Sequence, residues 1–242
     1  MIPEEDFILP DENGFKGNTL DFLLAAGYYR MQHCVFTTCF TQIDILKAPI
    51  PVFWLRTPVK KIIENSKVAT IRRNCAAFTT TYKNAEVNIE VEELYQIYRS
   101  HISFDASDSC RSYLHDRYFP NPFQSQMIEV RDGDTLIAVG YFDQGTNALA
   151  GILNFYHPAY KKYSLGKYLM LQKIDFALAK GIQFYYTGYI STAITKFDYK
   201  IFPDANAMEV FLPVEQIWVS YKDIGKEGLQ VYVNNSLQYF LS

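Results

Sequence analysis

The stretch that decides the fold is SQMIEVRDGDTLIAVGYFD, residues 125–143. Two runs rich in apolar and β-branched residues flank the dipeptide Asp132-Gly133. This dipeptide is a strong signal for a tight turn between antiparallel strands. The stretch therefore predicts a β-hairpin, which is the clearest structural unit in the chain.

The residues after the hairpin predict a parallel crossover. NALAGILNFYH, residues 147–157, has the composition of a third strand. Residues 163–180 carry apolar side chains at helical spacing and end before Gly181, and residues 182–187 resemble a short buried strand. An antiparallel meander followed by one crossover predicts an α+β fold, a mixed β-sheet flanked by helices. This order of elements is that of the GNAT-like acyltransferase fold, whose best-known members use acetyl-CoA.

The earlier part of the chain predicts a separate region. Residues 18–26 predict a short helix with an asparagine cap, and CVFTTCFTQIDIL, residues 34–46, predicts a strand. EVNIEV, residues 86–91, alternates polar and apolar residues and predicts a half-buried strand. We expect an N-terminal region, residues 1–85, with the cysteine-containing strand and a basic segment, followed by a GNAT-like domain, residues 86–242.

Composition limits the class of protein. The chain has 242 residues, 49% of them apolar, and a formal net charge of −3 at pH 7. A weakly acidic chain is not expected to coat nucleic acid over its whole surface. No run of about 18 apolar residues occurs, so we expect no membrane span. The start, MIPEED, lacks the basic and apolar regions of a signal peptide, so we expect a cytoplasmic protein.

The octet YSLGKYLM, residues 163–170, stands at the predicted start of the long helix. The N–H groups of a helix start suit a phosphate, and Gly166 would allow close approach of a ligand. The alternative is an ordinary helix start in which Ser164 is the capping residue. Both interpretations remain open at this point.

Two segments are basic in an otherwise acidic chain. Residues 161–200 contain seven lysines and two aspartates, and residues 56–73 contain six basic residues and one glutamate. The tyrosines of YYTGYI, residues 185–190, offer faces for stacking a base and hydroxyls for hydrogen bonds. The two segments could form a nucleic-acid surface, or they could be solvated helix faces.

The cysteines favour buried thiols over a metal site. Cys34 and Cys39, with His33 beside them, are spaced more widely than a zinc knuckle, and no second pair follows. The chain also lacks a nucleophile elbow, an HExxH motif and a Walker loop. We therefore expect no metal.

Several stretches together resemble the arginyl-tRNA–protein transferase family, including its bacterial leucyl-transferring relatives. The resemblance runs in order from Leu20 to Val214. Its motifs are LLAAGYYR (23–30), IRRN (71–74), SQMIEVRDGDTLIAVGYFD (125–143), FYHPAYKKYSLGKY (155–168) and YYTGYI with KFDYK (185–200).

The resemblance implies an acyltransferase-like fold that uses neither CoA nor another cofactor. It implies transfer of Arg or Leu from aminoacyl-tRNA to the N-terminal amine of a protein, preferably one that starts with Asp or Glu. Such a transfer labels the protein for degradation. The alternatives are a CoA-dependent N-acyltransferase and a non-catalytic protein that binds tRNA or protein N-termini.

The chemistry of such a transfer suggests candidate site residues. The donor ester is already activated, so the enzyme mainly holds two ends together and stabilises an oxyanion. We predict Gln126, on a central strand, and Tyr189 as catalytic residues. An acidic N-terminal side chain needs a cation, for which the candidates are Arg72, Arg73, Lys196 and Lys200. The predicted contacts to the tRNA end are Ser164, Gly166, Lys167 and Tyr186, together with Tyr189.

Overall fold

The elements of the chain are given by a computed structural model, which describes residues 6–42, 49–104, 106–114 and 120–236. The helices are α1 (Asn18–Ala25), α2 (Ser66–Cys75), α3 (Ile89–Arg99), α4 (Leu165–Ala179) and α5 (Tyr221–Asn235). The strands are β1 (Asp6–Ile8), β2 (Tyr29–Met31), β3 (Cys34–Thr37), β4 (Phe40–Thr41), β5 (Ile50–Pro58), β6 (Thr79–Asn84), β7 (Ser125–Asp132), β8 (Thr135–Gln144), β9 (Ala148–Tyr156), β10 (Phe184–Ser191), β11 (Glu209–Leu212) and β12 (Ile217–Ser220).

One large mixed sheet organises the molecule. Its strand order is β12-β11-β5-β10-β9-β8-β7-β6, and β4 pairs with β5 beside this path. β9 and β10 are parallel and are joined through α4, whereas the other pairs in the sheet are antiparallel. The predicted meander and crossover are therefore confirmed. A small sheet with the order β1-β3-β2 comes from the N-terminal part of the chain.

The hairpin forms where the sequence predicts it. Asp132 pairs with Thr135 at its end, and Gly133 has φ +57°, a conformation that is easy only for glycine and that the tight turn requires. Buried residues of both strands, among them Ile128 and Ile137, pack against α4. The hairpin is thus fixed by its turn and by burial of one face.

Helices cover both faces of the sheet. α4 packs through Leu165, Leu169 and Ile174 onto the cluster that contains the hairpin residues. On the opposite face, Leu20 and Leu24 of α1 pack against β9 and β10 residues. The predicted α+β fold, a mixed sheet flanked by helices, is confirmed. Within the described ranges, none of the helices combines the length and apolarity needed to span a membrane.

One of the predicted strands is wrong, and another is confirmed only in part. Residues 86–91 lead into α3, whose first turn is capped by Asn88, which accepts a hydrogen bond from the Val91 amide at 2.9 Å. The strand in this part of the chain is β6 instead. The single strand predicted for residues 34–46 is interrupted after Thr37 and resumes as β4, and residues 43–48 lie outside the described part.

The predicted domain boundary at residue 85 stays a prediction, but the large sheet contains strands from both sides of this boundary. β5 lies between β10 and β11, and it pairs with β10 from Val52 to Pro58. Residues from both predicted parts therefore form one continuous set of hydrogen bonds.

Candidate functional site

A fork between β9 and β10 creates the main pocket. The two strands pair only where Phe184–Tyr186 faces Ala148–Ala150, and then they separate. The hydroxyl of Tyr29 enters the fork, where it donates to the carbonyl oxygen of Gly151 and lies 3.1 Å from that of Tyr186. Because the tyrosine supplies a partner where the ladder ends, the strands can part without leaving these carbonyls unpaired.

The space beyond the fork is a cavity of about 680 Å³. Such a volume suits a small molecule or the end of a larger one. Its walls are largely aromatic, and Tyr29 stacks on Trp54 with their ring centroids 5.0 Å apart. Within the described parts of the chain, its basic lining residues are Arg30, Lys161, Lys167, Lys173 and Lys200, and none of its lining residues is a carboxylate. The pocket is therefore suited to a ligand with negative charge.

The beginning of α4 lies at this pocket. Ser164 adopts the left-handed conformation with φ 57°, and its side chain makes no capping hydrogen bond. The interpretation of Ser164 as an ordinary serine cap is therefore wrong, because its side chain is not used by the helix. Ser164, Gly166 and Lys167 all line the cavity, as the phosphate interpretation expects. A Cβ on Gly166 would lie 3.5 Å from the Tyr156 ring, which is ordinary contact.

Lys167 has a basic neighbour and no carboxylate partner among the described residues. Burial and the nearby Lys67 ammonium group lower the pKa of Lys167 below its usual value. Two cations held close together repel each other, so an anion between them would be stabilised.

The predicted tyrosine-rich connection contributes a second wall. Tyr189 lies edge-on to Trp54 at 5.2 Å and to Phe197 at 5.0 Å. The Nζ of Lys200 lies 4.4 Å from the Tyr189 ring centroid. Burial, together with the charge of Lys196, lowers the pKa of Lys200 to about 8. Lys200 is therefore a cation that can lose its charge just above neutral pH.

Two buried polar groups of the pocket wall have no partner in the described structure. They are the indole Nε1 of Trp54 and the hydroxyl of Thr187, in residues that are 5% and 8% exposed. A buried polar group without a hydrogen bond costs about 1–3 kcal/mol, so such groups are rare unless a ligand completes them. Both atoms belong to residues that flank the Tyr189 and Lys200 side of the cavity.

Comparison with known proteins finds a sequence family that matches the part of the chain containing the fork. Residues 90–204 match the sequence model of the family described as arginine-tRNA-protein transferase, C terminus. The matched segment contains β7 to β10 and α4, which build the fork. The matched segment, just under half of the chain, is similar to the C-terminal part of the arginine-tRNA-protein transferase family.

Several curated proteins that are similar to the chain carry the name aspartate/glutamate leucyltransferase. The protein from Pseudomonas putida (strain W619) is 27% identical over 68% of this chain and 69% of its own length. The protein from Shewanella sp. (strain MR-4) is 24% identical over 81% of each chain. The protein from Paracoccus denitrificans is 28% identical, and its match spans 50% of this chain and 48% of its own length.

Solved structures show weaker similarity. The lysylphosphatidylglycerol synthetase domain from Agrobacterium fabrum has a TM-score of 0.44 at 10% identity, covering 57% of this chain and 46% of that one. A GCN5-related N-acetyltransferase from Kribbella flavida has a TM-score of 0.34 at 11% identity, covering 62% of this chain and 49% of that one.

Five residues predicted for the transferase site lie outside the pocket lining. Arg72 donates to both oxygens of Asp175, at 2.6 and 2.8 Å, and also to Glu64. Its guanidinium is thus satisfied by carboxylates of its own chain, which argues against binding of a substrate carboxylate there. The exposed Arg73 follows Arg72 on α2.

Gln126 and Tyr186 are likewise committed to structural contacts. Gln126 donates to the Asn84 side chain at 3.1 Å, across to the edge strand β6, so the position is next to the edge and not central. Tyr186 is 3% exposed and packs edge-on against Trp218. Lys196 also lies outside the lining, with its Nζ 4.6 Å from the Phe104 ring centroid.

Four residues that the structure places in the pocket were not predicted as site residues. These are Tyr29, Trp54, Asn154 and Lys173. The one signal for Lys173 is its place as a lone cation inside the buried run Tyr168–Ile174. Nothing in the local sequence connects Tyr29 or Trp54 with α4, because the fold alone brings them together.

The cysteines form no evident metal centre. Cys39, Cys75 and Cys110 are buried, Cys34 is partly buried, and all are free thiols. Burial raises the pKa of Cys39 and Cys75 to about 11, so both stay protonated near neutral pH. Within the described ranges, no three His, Cys, Asp or Glu side chains are grouped so that they could hold a metal ion.

Proposed function

We propose that the protein transfers an amino acid from aminoacyl-tRNA to the N-terminal amine of a protein that starts with Asp or Glu. The observation that carries this proposal is the cationic, aromatic-walled pocket at the β9–β10 fork. The family match covers the elements that form the fork. The donor is charged tRNA and the acceptor is a protein N-terminus, and we place the reaction in the cytoplasm, where it marks its product for degradation.

The start of α4 is the proposed contact for the acceptor end of the tRNA. Ser164 and Gly166 lie where the helix presents its N-terminal N–H groups. Lys167 adds a positive charge there, and it forms no ion pair with a carboxylate among the described residues. A helix start of this kind favours phosphate oxygens. The ring of Tyr189 offers a face for a base or a ribose.

Lys200 is the proposed partner for the acidic side chain of the acceptor. It replaces Arg72 in this role, since Arg72 is already paired within the chain. The unpaired Trp54 Nε1–H and the Thr187 hydroxyl lie on the same side of the pocket and can donate to carboxylate oxygens. Lys196 is close enough to Lys200 to influence its charge.

The proposed donor amino acid is leucine and not arginine. A buried guanidinium needs carboxylate partners, and the described lining provides cations, aromatic rings and aliphatic side chains such as Met170 and Leu153. An apolar side chain can be buried there without an unpaired charge. The names of the relatives from Pseudomonas and Shewanella point in the same direction.

The test is a transfer assay with purified protein. Labelled leucyl-tRNA and arginyl-tRNA are offered in parallel to peptides that differ only in a first residue of Asp, Glu, Asn or Lys. We expect leucine on the Asp and Glu peptides. Absence of transfer from both donors would remove the proposed activity, and transfer of arginine alone would overturn the choice of donor.

A further inference from the structure

The amine of Lys173, on the third turn of α4, is one of the most deeply buried titratable groups of the pocket. Its residue is 1% exposed, and it shares the pocket-facing side of the helix with Gly166 and Met170. Its Nζ donates to the carbonyl oxygen of Tyr141 at 2.8 Å and to Oδ1 of Asn154 at 2.7 Å. The amine is thus held at the wall of the cavity by two uncharged acceptors.

The charges around Lys173 favour its neutral form. Asp143 on β8 is the carboxylate whose charge acts on it, but Arg30 binds both Asp143 oxygens, at 2.8 and 3.0 Å. The other basic residues of the pocket, Lys161, Lys167 and Lys200, carry the same sign of charge. Burial lowers the pKa of Lys173 to about 7, even though Asp143 acts to raise it.

The hydrogen-bond count also matches the neutral amine. An ammonium group has three N–H donors and no lone pair, whereas an amine has two donors and one lone pair. Two acceptors hold Lys173, so the neutral form is fully satisfied and keeps its lone pair for the cavity. We propose that Lys173 is the general base that takes the proton from the N-terminal amine of the acceptor. This assignment rests on the proposed function.

The proton balance of the reaction is simple. The acceptor arrives as an ammonium group, and Lys173 takes one proton, which makes it an ammonium group and leaves a neutral nucleophile. The nitrogen lone pair forms a bond to the ester carbonyl carbon. The bond from that carbon to the ribose oxygen then breaks, and this oxygen takes a second proton from the former amine nitrogen. Lys173 afterwards returns its proton to solvent.

The first experiment compares Lys173→Met with Lys180→Met, which removes an exposed lysine from the end of the same helix. We expect kcat to fall about 100- to 10,000-fold in Lys173→Met, with KM within about threefold of wild type. Lys180→Met should match wild type. Binding of charged tRNA, measured by fluorescence anisotropy, and the thermal unfolding midpoint of each variant identify any loss that comes from misfolding.

The second experiment uses Asn154→Asp, which places a carboxylate beside Lys173 and keeps the side-chain size. An adjacent carboxylate favours the protonated lysine, so the rising limb of the plot of kcat against pH should move upward by about 1–3 pH units. A lysine that only supports the fold predicts no movement of this limb. A lysine that stabilises the oxyanion as a cation predicts activity that falls as the pH rises through 7.

The outcomes separate the two proposals. If the wild type is active and Lys173→Met is active as well, the role of Lys173 is overturned and the proposed function stands. The same conclusion follows if the rising limb of the plot of kcat against pH does not move in Asn154→Asp. A wild type that transfers neither leucine nor arginine overturns both. Loss of kcat in Lys173→Met together with the moved limb supports the base.

Discussion

Replacing Arg30 by Met should reveal how strongly the N-terminal part of the chain is held to the sheet. Arg30 lies on β2, and its Nη1 donates to Asp143 at 2.8 and 3.0 Å and to Ser125 at 2.9 Å. The two charged side chains are 1% and 0% exposed. The substitution therefore leaves the Asp143 carboxylate buried with one remaining donor, Ser125.

Removing one member of a buried ion pair costs about 3–5 kcal/mol, because the other charge stays in a medium of low polarity. The total stability of a protein is only about 5–15 kcal/mol, so Arg30→Met should lose roughly a fifth of it or more. The control is Arg99→Met, whose ion pair with Asp108 is 38% and 93% exposed and should contribute less than about 1 kcal/mol.

The assay is urea unfolding followed by tryptophan fluorescence, since Trp54 and Trp218 both lie in the cluster beneath β2 and β3. The double variant Arg30→Met/Asp143→Asn should lose less than the sum of its single variants, because removal of the carboxylate relieves the main cost. Equal losses in Arg30→Met and Arg99→Met, or strict additivity in the double variant, would refute the reasoning.

Four further substitutions test the contacts of the site. Arg72→Ala should cost about 1 kcal/mol or less of stability in urea and should leave KM for acidic peptides within about twofold, because its partner is Asp175. Tyr29→Phe should cost about 1–3 kcal/mol in the same assay, since two carbonyls at the fork lose their partner. Lys200→Met should raise KM for acidic peptides about tenfold at pH 7 by loss of one charged contact, an effect that disappears above about pH 9 because the pKa of Lys200 is about 8. The fourth substitution is Lys173→Met. The free energy of unfolding of the wild type, relative to that of this variant, should rise between pH 7 and about 10 by at most about 1.4 kcal/mol per pH unit. In this range Lys173 is neutral in the folded chain but still protonated in the unfolded chain, so raising the pH favours the folded state.

The parts of the fold that could be predicted from sequence are those fixed by local signals. The turn at Asp132-Gly133 and the helical spacing after Ser164 need no distant contact to be recognised. The strand predicted at residues 86–91 was wrong because so short a stretch does not distinguish strand alternation from the beginning of a helix. Val87, Val91, Leu94 and Tyr95 are buried with helical spacing, whereas Ile89 is 79% exposed. The alternation of polar and apolar residues was therefore only the first turn of an amphipathic helix.

Predictions about the site failed where a distant partner decides the role of a side chain. Arg72 has the right chemistry for a substrate carboxylate, but Asp175, 103 residues further along the chain, already occupies it. Ser164, Gly166, Lys167, Tyr189 and Lys200 were predicted from motifs and do line the pocket. All five residues lie in the start of the crossover helix or in the strand and connection that follow it, and the order of these elements could be predicted from the sequence.

The pocket depends on both predicted parts of the chain, and this limits what the family match alone can explain. Residues 90–204 supply β9, α4 and β10, and hence Lys173 and Lys200. The fork itself is held open by Tyr29, and the unpaired indole N–H comes from Trp54, both outside the matched segment. A fragment limited to the matched residues would lack the hydroxyl that bridges Gly151 and Tyr186. The N-terminal part therefore belongs to the site as well as to the fold, and differences in substrate between relatives should be sought there as much as in α4.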